Sequence, residues 1–381
     1  MWPTPSTLLR TPGRCRSGRA LPVRRPPCMS DILRANLLSP IALAFALGIV
    51  TRLIRSEFSL PKDIYTGLSI YLLLALGLKG GVELAHTGVA AIALPAGVTI
   101  VLGCLTPVTA YLVLRRLGGF STSDSAAIAA HYGSVSAVTF IAAQQFVAAQ
   151  GLQVEGYMPT LLTLLESPGI HVALAIGAIQ RARVAVPQLA TATAGMAGGG
   201  AMLGGTTMLA PGEGAPHGAS LAKTLHEVLT ARTMVLLVGG LLVGYLMGEP
   251  GWTQVKPFFE TPFKGVLTLF LLEMGIVAGS RLGDLKKVGP FLLGFAVLMP
   301  IVHGSLGVWL GHLAGLSVAG CTVLGAMAAS ASYIAAPPAV RVQLPEANPT
   351  YYLTASLAMT FPFNILFGIP IYFSLARAIA A

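Results

Sequence analysis

The sequence predicts an all-α integral membrane protein of ten transmembrane helices, built as two inverted five-helix repeats with broken core helices. Three observations carry that prediction. Stretches of about 20 residues run almost without charge, the length a helix needs to cross a bilayer. Lysine and arginine collect on one side of those stretches. The two halves of the chain also match each other at spaced positions. Composition agrees: 54% of residues are apolar, only 10% are charged and the mean hydropathy is +0.76, whereas a soluble domain carries roughly 25% charged residues. The 44 glycines and 26 prolines favour close helix contacts and interrupted helices over disorder.

In chain order, residues 1–28 are rich in Arg and Pro and lack the apolar core of a signal peptide. They read as a mis-set start or a basic tail, with translation expected from Met29. Met29 leads directly into SDILRANLLSPIALAFALG. The first repeat occupies 29–183, with spans at about 39–54, 64–84, 90–114, 123–148 and 158–180. A linker rich in Gly, Ala and Thr fills 184–227. The second repeat occupies 228–381, with spans at about 232–248, 263–281, 289–313, 317–341 and 351–376. From Met29 onward one face holds thirteen Lys and Arg, among them Arg52, Arg115, Arg181, Lys286 and Arg341. The other holds five: Arg34, Lys79, Lys256, Lys264 and Arg377. The positive-inside rule then places the linker in the cytoplasm and both termini in the periplasm of a bacterial inner membrane. It also accounts for the net charge of +10 without nucleic acid as a partner. Cys15, Cys28, Cys104 and Cys321 form no CxxC and suggest no disulfide framework.

The internal match has a nearly constant offset. Gly77, Gly81 and Leu84 correspond to Gly275, Gly279 and Leu282, each 198 positions on. Gly119, Ser121, Ser134 and Ser136 correspond to Gly315, Ser317, Ser330 and Ser332, each 196 positions on. Five spans is an odd number, so the second repeat enters from the opposite side. That is the inverted architecture of secondary transporters, whose sites lie near mid-membrane where broken helices meet.

The fourth and ninth spans are too polar and too rich in small residues to face lipid. Each carries a serine pair about midway, Ser134/Ser136 and Ser330/Ser332. Pro337 and Pro338 supply no backbone N–H. A half-helix starting near each pair would aim N–H groups and a partial positive charge at mid-membrane, a setting for a small anion. The alternative is helix packing, with the serines bonded to their own backbone; a matched pair in both halves favours the anion site. Glu166, in LLESPGI, is a candidate cation ligand or proton carrier, or else an interfacial glutamate. Asp124 reads as a helix cap after Ser123. Glu83 and Glu273 flank the glycine elements and read as structural, pairing with Lys79 or Arg281 or serving a subunit contact. His131 and His303 read as hydrogen-bonded helix residues and not as metal ligands.

These residues resemble the sodium-dependent bicarbonate transporters of cyanobacteria. The likeness runs from Met29 to the C-terminus. It is sharpest over 329–362, in the serine run, Pro337–Pro338, Arg341, Pro345, Ala347–Asn348–Pro349 and Pro362. GSVS at 133–136, Glu166-x-Pro168 and PIVHG at 300–304 extend it. The resemblance implies a core domain moving against a gate domain, a homotrimer in membrane lipid, and sodium-coupled uptake of bicarbonate. It implies anion and sodium sites between the broken helices, here at Gly133, Ser134, Ser136, Ser330 and Ser332. The family pattern has Asp where this chain has Tyr333, and Ser where it has Ala335, so a carboxylate is missing beside the implied cation site. Glu166 and Tyr333 are then the candidates for cation coupling. No cofactor is expected beyond Na+ as the coupling ion. Docking of the family's nitrogen-regulator-like partner is not expected, because the central loop is short and poor in acidic residues.

The expected function is therefore secondary active import of a small anion, bicarbonate first. The rivals are a sodium- or proton-coupled carrier of small organic acids, a channel, and an intramembrane enzyme. The last would need a nucleophile–base pair, for which Ser136 and His131 are the only neighbours. No HExxH, P-loop or GxSxG motif occurs. Reporter fusions check the topology: one within 184–227 is expected to read cytoplasmic and one at Ala381 periplasmic. A cytoplasmic C-terminus overturns the ten-span reading.

Overall fold

Helix caps and helix breakers set the order of elements. The computed structural model describes residues 29–87, 89–196, 230, 232–334 and 336–381. The proposed start region 1–28, most of the linker (197–227) and Ala335 lie outside the described residues. Helix α1 (Met29–Leu37) meets α2 (Pro40–Leu53) at a 59° bend. Ser39 caps α2 by accepting from the Ala42 N–H, and Pro40 takes the first helical position, where a missing N–H is harmless. Helices α3 (Lys62–His86) and α4 (Val89–Arg116) follow. Next come α5 (Thr122–Gly133), α6 (Ala137–Ala149) and α7 (Met158–Met196).

The second half holds α8 (Arg232–Phe259), α9 (Phe263–Arg281), α10 (Leu285–Leu313), α11 (Val318–Ala328), α12 (Ala336–Gln343) and α13 (Pro349–Ala380). Two π-helical runs, Thr354–Thr360 and Asn364–Gly368, interrupt α13. Among the described residues seven helices are long and apolar enough to cross a membrane, or eight if the bent pair α1–α2 is one crossing. One of the seven, Phe263–Leu313, is 51 residues long. That is far more than the roughly 20 residues a crossing uses. It is broken at Gly289, whose φ of 75° and ψ of 160° leave the helical region.

Three expectations shift. Helix α7 continues to Met196 where a linker was expected from 184, because its alanine-rich end has the propensity to stay helical. Helix α8 does not stop near 248. It kinks at Gly248 (φ 58°, ψ −164°) and resumes to Phe259. Asp124 is not the cap of α5. Ser121 is, accepting from the Asp124 N–H at 3.0 Å, while the Asp124 carboxylate reaches out to accept from the Asn348 N–H at 2.8 Å.

The helices pack as two groups. One contains α2, α3, α8 and α9, and the other contains α4–α7 and α10–α13. The first group is joined backbone to backbone. Gly77 and Gly81 of α3 face Gly240 and Gly244 of α8, and Gly48 of α2 faces Gly275 of α9. A Cβ on Gly244 would strike the Leu78 carbonyl, and one on Gly275 the Phe45 carbonyl. The glycine elements matched in sequence thus make helix contacts in both halves. In each, the second long helix of one half meets the first long helix of the other. Exposed leucines such as Leu43, Leu47, Leu246 and Leu298 cover outer surfaces, as expected of a chain solvated by lipid. Gly244→Val is expected to lower stability by about 3 kcal/mol through overpacking. Gly239→Val, where a Cβ meets nothing within 4 Å, serves as the neutral control. Thermal unfolding in detergent measures both.

Candidate functional site

Two interrupted helices cross at the serine pairs. Helix α5 ends at Gly133, and Ser134 (φ −109°, ψ 146°) and Ser136 (φ −89°, ψ 110°) are extended before α6 begins at Ala137. Helix α11 ends at Ala328, and α12 starts at Ala336. The second interruption has a local cause. Without N–H groups on Pro337 and Pro338, the carbonyls of Tyr333 and Ile334 have no helical partner. The first has no proline, and its cause is the other segment. The Ser332 N–H donates to the carbonyls of His131 (2.8 Å) and Ser134 (3.1 Å). The Ser136 N–H donates to Ser330 Oγ at 2.9 Å, and Ser330 Oγ donates onward to the Met327 carbonyl at 2.8 Å. Each unwound stretch therefore supplies partners that the other lost.

Helix α13 braces this crossing. Asn364 Nδ2 donates to the Ala329 carbonyl at 2.8 Å, and Tyr372 Oη donates to Asn364 Oδ1 at 3.0 Å. Thr360 Oγ1 donates to the Ala296 carbonyl at 2.7 Å, the acceptor that Pro300 leaves free four residues on. On the other side Gly133 packs on Gly169 of α7 so closely that a Cβ on Gly169 would strike the Gly133 carbonyl.

A small cavity opens beside the crossing, between the two helix groups. Ser136, Ala137 and Val138 line it from the head of α6, Ser332 and Tyr333 from the second break, and Glu166 from α7. Ser69, Leu72 and Leu73 of α3 and Phe270 of α9 close it from the other group. About 20 Å³ is open to the centre of a water molecule, room for one small polar body. The first turn of α6 leaves N–H groups without helical acceptors. Ser136 N donates to Ser330 and Thr139 N to Ser136 Oγ (3.3 Å), so those of Ala137 and Val138 remain beside the cavity. Helix α12 is a weaker donor than expected, because two of its first three residues are proline.

Four of the expected site residues meet here: Ser136, Ser332, Glu166 and Tyr333. Gly133, Ser134 and Ser330 do not line the cavity. Gly133 serves the contact with α7, the Ser134 carbonyl binds Ser332, and Ser330 bonds the two breaks together. Ser69, Phe270 and Asn364 were not singled out by the sequence reading. Of these only Asn364, an amide in an apolar span, carried a signal. Glu166 is 2% exposed. It is the one carboxylate in the lining, which holds no basic side chain. Tyr333 Oη lies near Ser136 without a hydrogen bond of good geometry. Among the described residues no group of three His, Cys, Asp or Glu is placed to hold a metal ion.

The remaining candidates have structural partners. Lys79 pairs with Glu260 at 3.0 Å, and not with Glu83. Arg281 pairs with Asp284 at 3.6 Å, while Glu273 accepts from the Leu60 N–H at 3.1 Å. His131 Nδ1 meets the Ala127 carbonyl at 2.7 Å and its ring stacks on Tyr352. His303 Nε2 meets Thr109 Oγ1 at 2.8 Å. His131 Nδ1 is thus engaged by Ala127 while its Nε2 is buried without a partner, and no hydrogen bond joins the ring to Ser136.

The family model described as the Na+-dependent bicarbonate transporter superfamily matches residues 40–377, nearly the whole chain and all of the crossing. The chain belongs to that superfamily. No individually curated protein matches it. In this member of the superfamily the Ser330 hydroxyl stands behind the cavity and holds its wall. Ser330→Ala strands the Ser136 N–H and is expected to cost about 1–3 kcal/mol of stability. Ser330→Thr, which keeps the hydroxyl, should recover much of the loss. Unfolding midpoints in detergent decide.

Proposed function

We propose that the chain imports bicarbonate, or an anion of similar size and charge, together with sodium, by alternating access across a bacterial inner membrane. The cavity at the crossing carries this reading. It sits on the boundary between two helix groups, with N–H groups and hydroxyls on one wall and, beside Ser69, the apolar Leu72, Leu73 and Phe270 on the other. An anion there must replace its water shell. The Ala137 and Val138 N–H groups, the partial positive charge at the head of α6 and the Ser136 hydroxyl are donors beside the cavity, and Ser332 lines it next to them. The small volume favours an anion of a few atoms over a larger organic acid.

Charge balance favours coupling to a cation. The lining has one carboxylate and no basic group. Two like charges about 5 Å apart repel by roughly 3 kcal/mol at an effective dielectric near 20. An anion entering beside Glu166 therefore needs a cation between them or a proton on the carboxylate. The C-terminal ends of α5 and α11 bring partial negative charge to the same place. Glu166 and Tyr333 are the side chains positioned to take part in holding that cation.

The ten-span inverted arrangement is part of the proposal. Paired glycine seams and paired helix breaks support it. So do two reciprocal glutamates: Glu155 Oε1 accepts from the Ser317 N–H at the head of α11, and Glu346 Oε1 accepts from Ser123 Oγ at the head of α5. Each glutamate follows one broken helix and engages the start of the other.

Uptake of labelled bicarbonate into proteoliposomes, with and without a sodium gradient, tests the function. Ser136→Ala and Ser332→Ala should each weaken apparent anion affinity about tenfold, the weight of one charge-assisted bond, while expression survives. Glu166→Gln should blunt the sodium dependence, and Tyr333→Asp should strengthen it. Normal affinity in both serine variants overturns the site.

A further inference from the structure

Hydroxyls inside an apolar helix ordinarily return to the carbonyl one turn back, because lipid offers no other acceptor. The chain follows that rule at Thr99, Thr106, Thr322 and Ser356. Their hydroxyls donate to the carbonyls of Pro95, Leu102, Val318 and Tyr352 at 2.7, 3.0, 2.7 and 2.6 Å. Ser69 of α3 departs from it. The residue is only 9% exposed and lines the small cavity. Among the described residues its hydroxyl has no hydrogen-bond partner. Buried polar groups in native structures are seldom left so, and a ligand or ordered water is the usual complement.

Ser69 stands on the wall opposite the crossing. That wall belongs to the group of α2, α3, α8 and α9, and its other members at the cavity, Leu72, Leu73 and Phe270, are apolar. The Ser69 hydroxyl is thus the one hydrogen-bonding side chain that this group brings to the lining. Only about 20 Å³ is open to the centre of a water molecule, so a body held at the head of α6 fills the space that Ser69 lines. A larger cavity, of about 420 Å³, adjoins on the side that the Lys and Arg distribution assigns to the periplasm. Along α3 the linings pass from Leu72 and Leu73 to Ala75 and Leu76, and along α6 from Ile141 to Gln144 and Gln145, about one helical turn on. An anion arriving from that side meets Ser69 and the crossing together.

We propose that the Ser69 hydroxyl donates to the anion from the opposite wall and makes the site bind more tightly from the outer side than from the inner. A hydroxyl has one proton to give, and an anion accepts it. The other donors, at the head of α6 and at Ser136, belong to the crossing and move with it under alternating access. Ser69 belongs to the glycine-seamed group and does not. Its bond is therefore made in one access state and lost in the other. A ligand contact present in only one state favours that state by the whole of its energy. The proposal rests on the reading of the small cavity as the transport site and adds the residue that makes its two faces unequal.

Half-saturating bicarbonate measured separately at the two faces tests it, in right-side-out and inside-out membrane vesicles, with vesicles lacking the chain as the blank. Ser69→Ala removes the hydroxyl and leaves a good helix former in its place. It is expected to raise the outer value about tenfold, the weight of one hydrogen bond to a charged group, and to leave the inner value unchanged. Ser136→Ala should raise both, since Ser136 travels with the anion. An equal rise at both faces in Ser69→Ala overturns the proposal, because it marks a packing effect without sidedness. If Ser136→Ala raises both values while Ser69→Ala raises neither, this proposal fails alone and the cavity remains the transport site. If Ser136→Ala raises neither, the reading of the cavity fails and this proposal with it.

Discussion

Backbone hydrogen bonding in an apolar medium is the constraint on which the rest of this structure depends. A helix interrupted inside a membrane exposes amide and carbonyl groups that lipid cannot satisfy. The chain meets that demand by interrupting two helices at the same place. The Ser332 N–H finds the His131 and Ser134 carbonyls, and the Ser136 N–H finds Ser330 Oγ. Asn364 takes the Ala329 carbonyl at the end of α11. Neither break is tenable without the other, which ties the two halves of the sequence together at their centre.

The satisfied groups also decide what is left for a ligand. The Ser330 hydroxyl is used in holding the crossing, and Ser134 gives its carbonyl to it while its own hydroxyl, buried without a partner, lies off the cavity lining. The prolines heading α12 remove donors that a symmetric site would have. Helix α6 thereby becomes the main source of N–H groups, with Ser136 and Ser332 beside it. Symmetry in sequence yields an asymmetric site, because one break is made by proline and the other by its partner.

This distinction explains how much the sequence disclosed. The long apolar helices, seven or eight of them among the described residues where ten spans were expected, the breaks near the serine pairs and the close contacts at Gly77, Gly81 and Gly275 were legible, because hydropathy, proline and glycine act locally or leave spaced patterns. Glu166 was legible as a costly intramembrane carboxylate, and it does reach the cavity. The division of labour among the four serines was not, since Ser134 and Ser136 have the same residue type and differ only in what faces them. Ser69 and Phe270 were hidden for a related reason: they belong to the opposite helix group, and nothing in their own segments marks the boundary. The continuation of α7 to Met196 is hidden in a stretch where alanine, which favours helix, is mixed with glycine and threonine, which do not.

The two kinds of contact in the structure differ in what they permit. Within the group formed by α2, α3, α8 and α9, backbone meets backbone at glycines, and there is no side chain to adjust. Sliding such a seam by one residue would drive a Cβ into a carbonyl. The boundary at the small cavity is made instead by Leu72, Leu73 and Phe270, which share one apolar cluster with Val135 and Val138. Those contacts are apolar and non-directional, and dispersion between side chains survives rearrangement that a hydrogen bond would not. Under the proposed alternating access, motion would therefore concentrate at this boundary. The crossing and its ligands would travel with α4–α7 and α10–α13, while the glycine-seamed group remains the fixed wall.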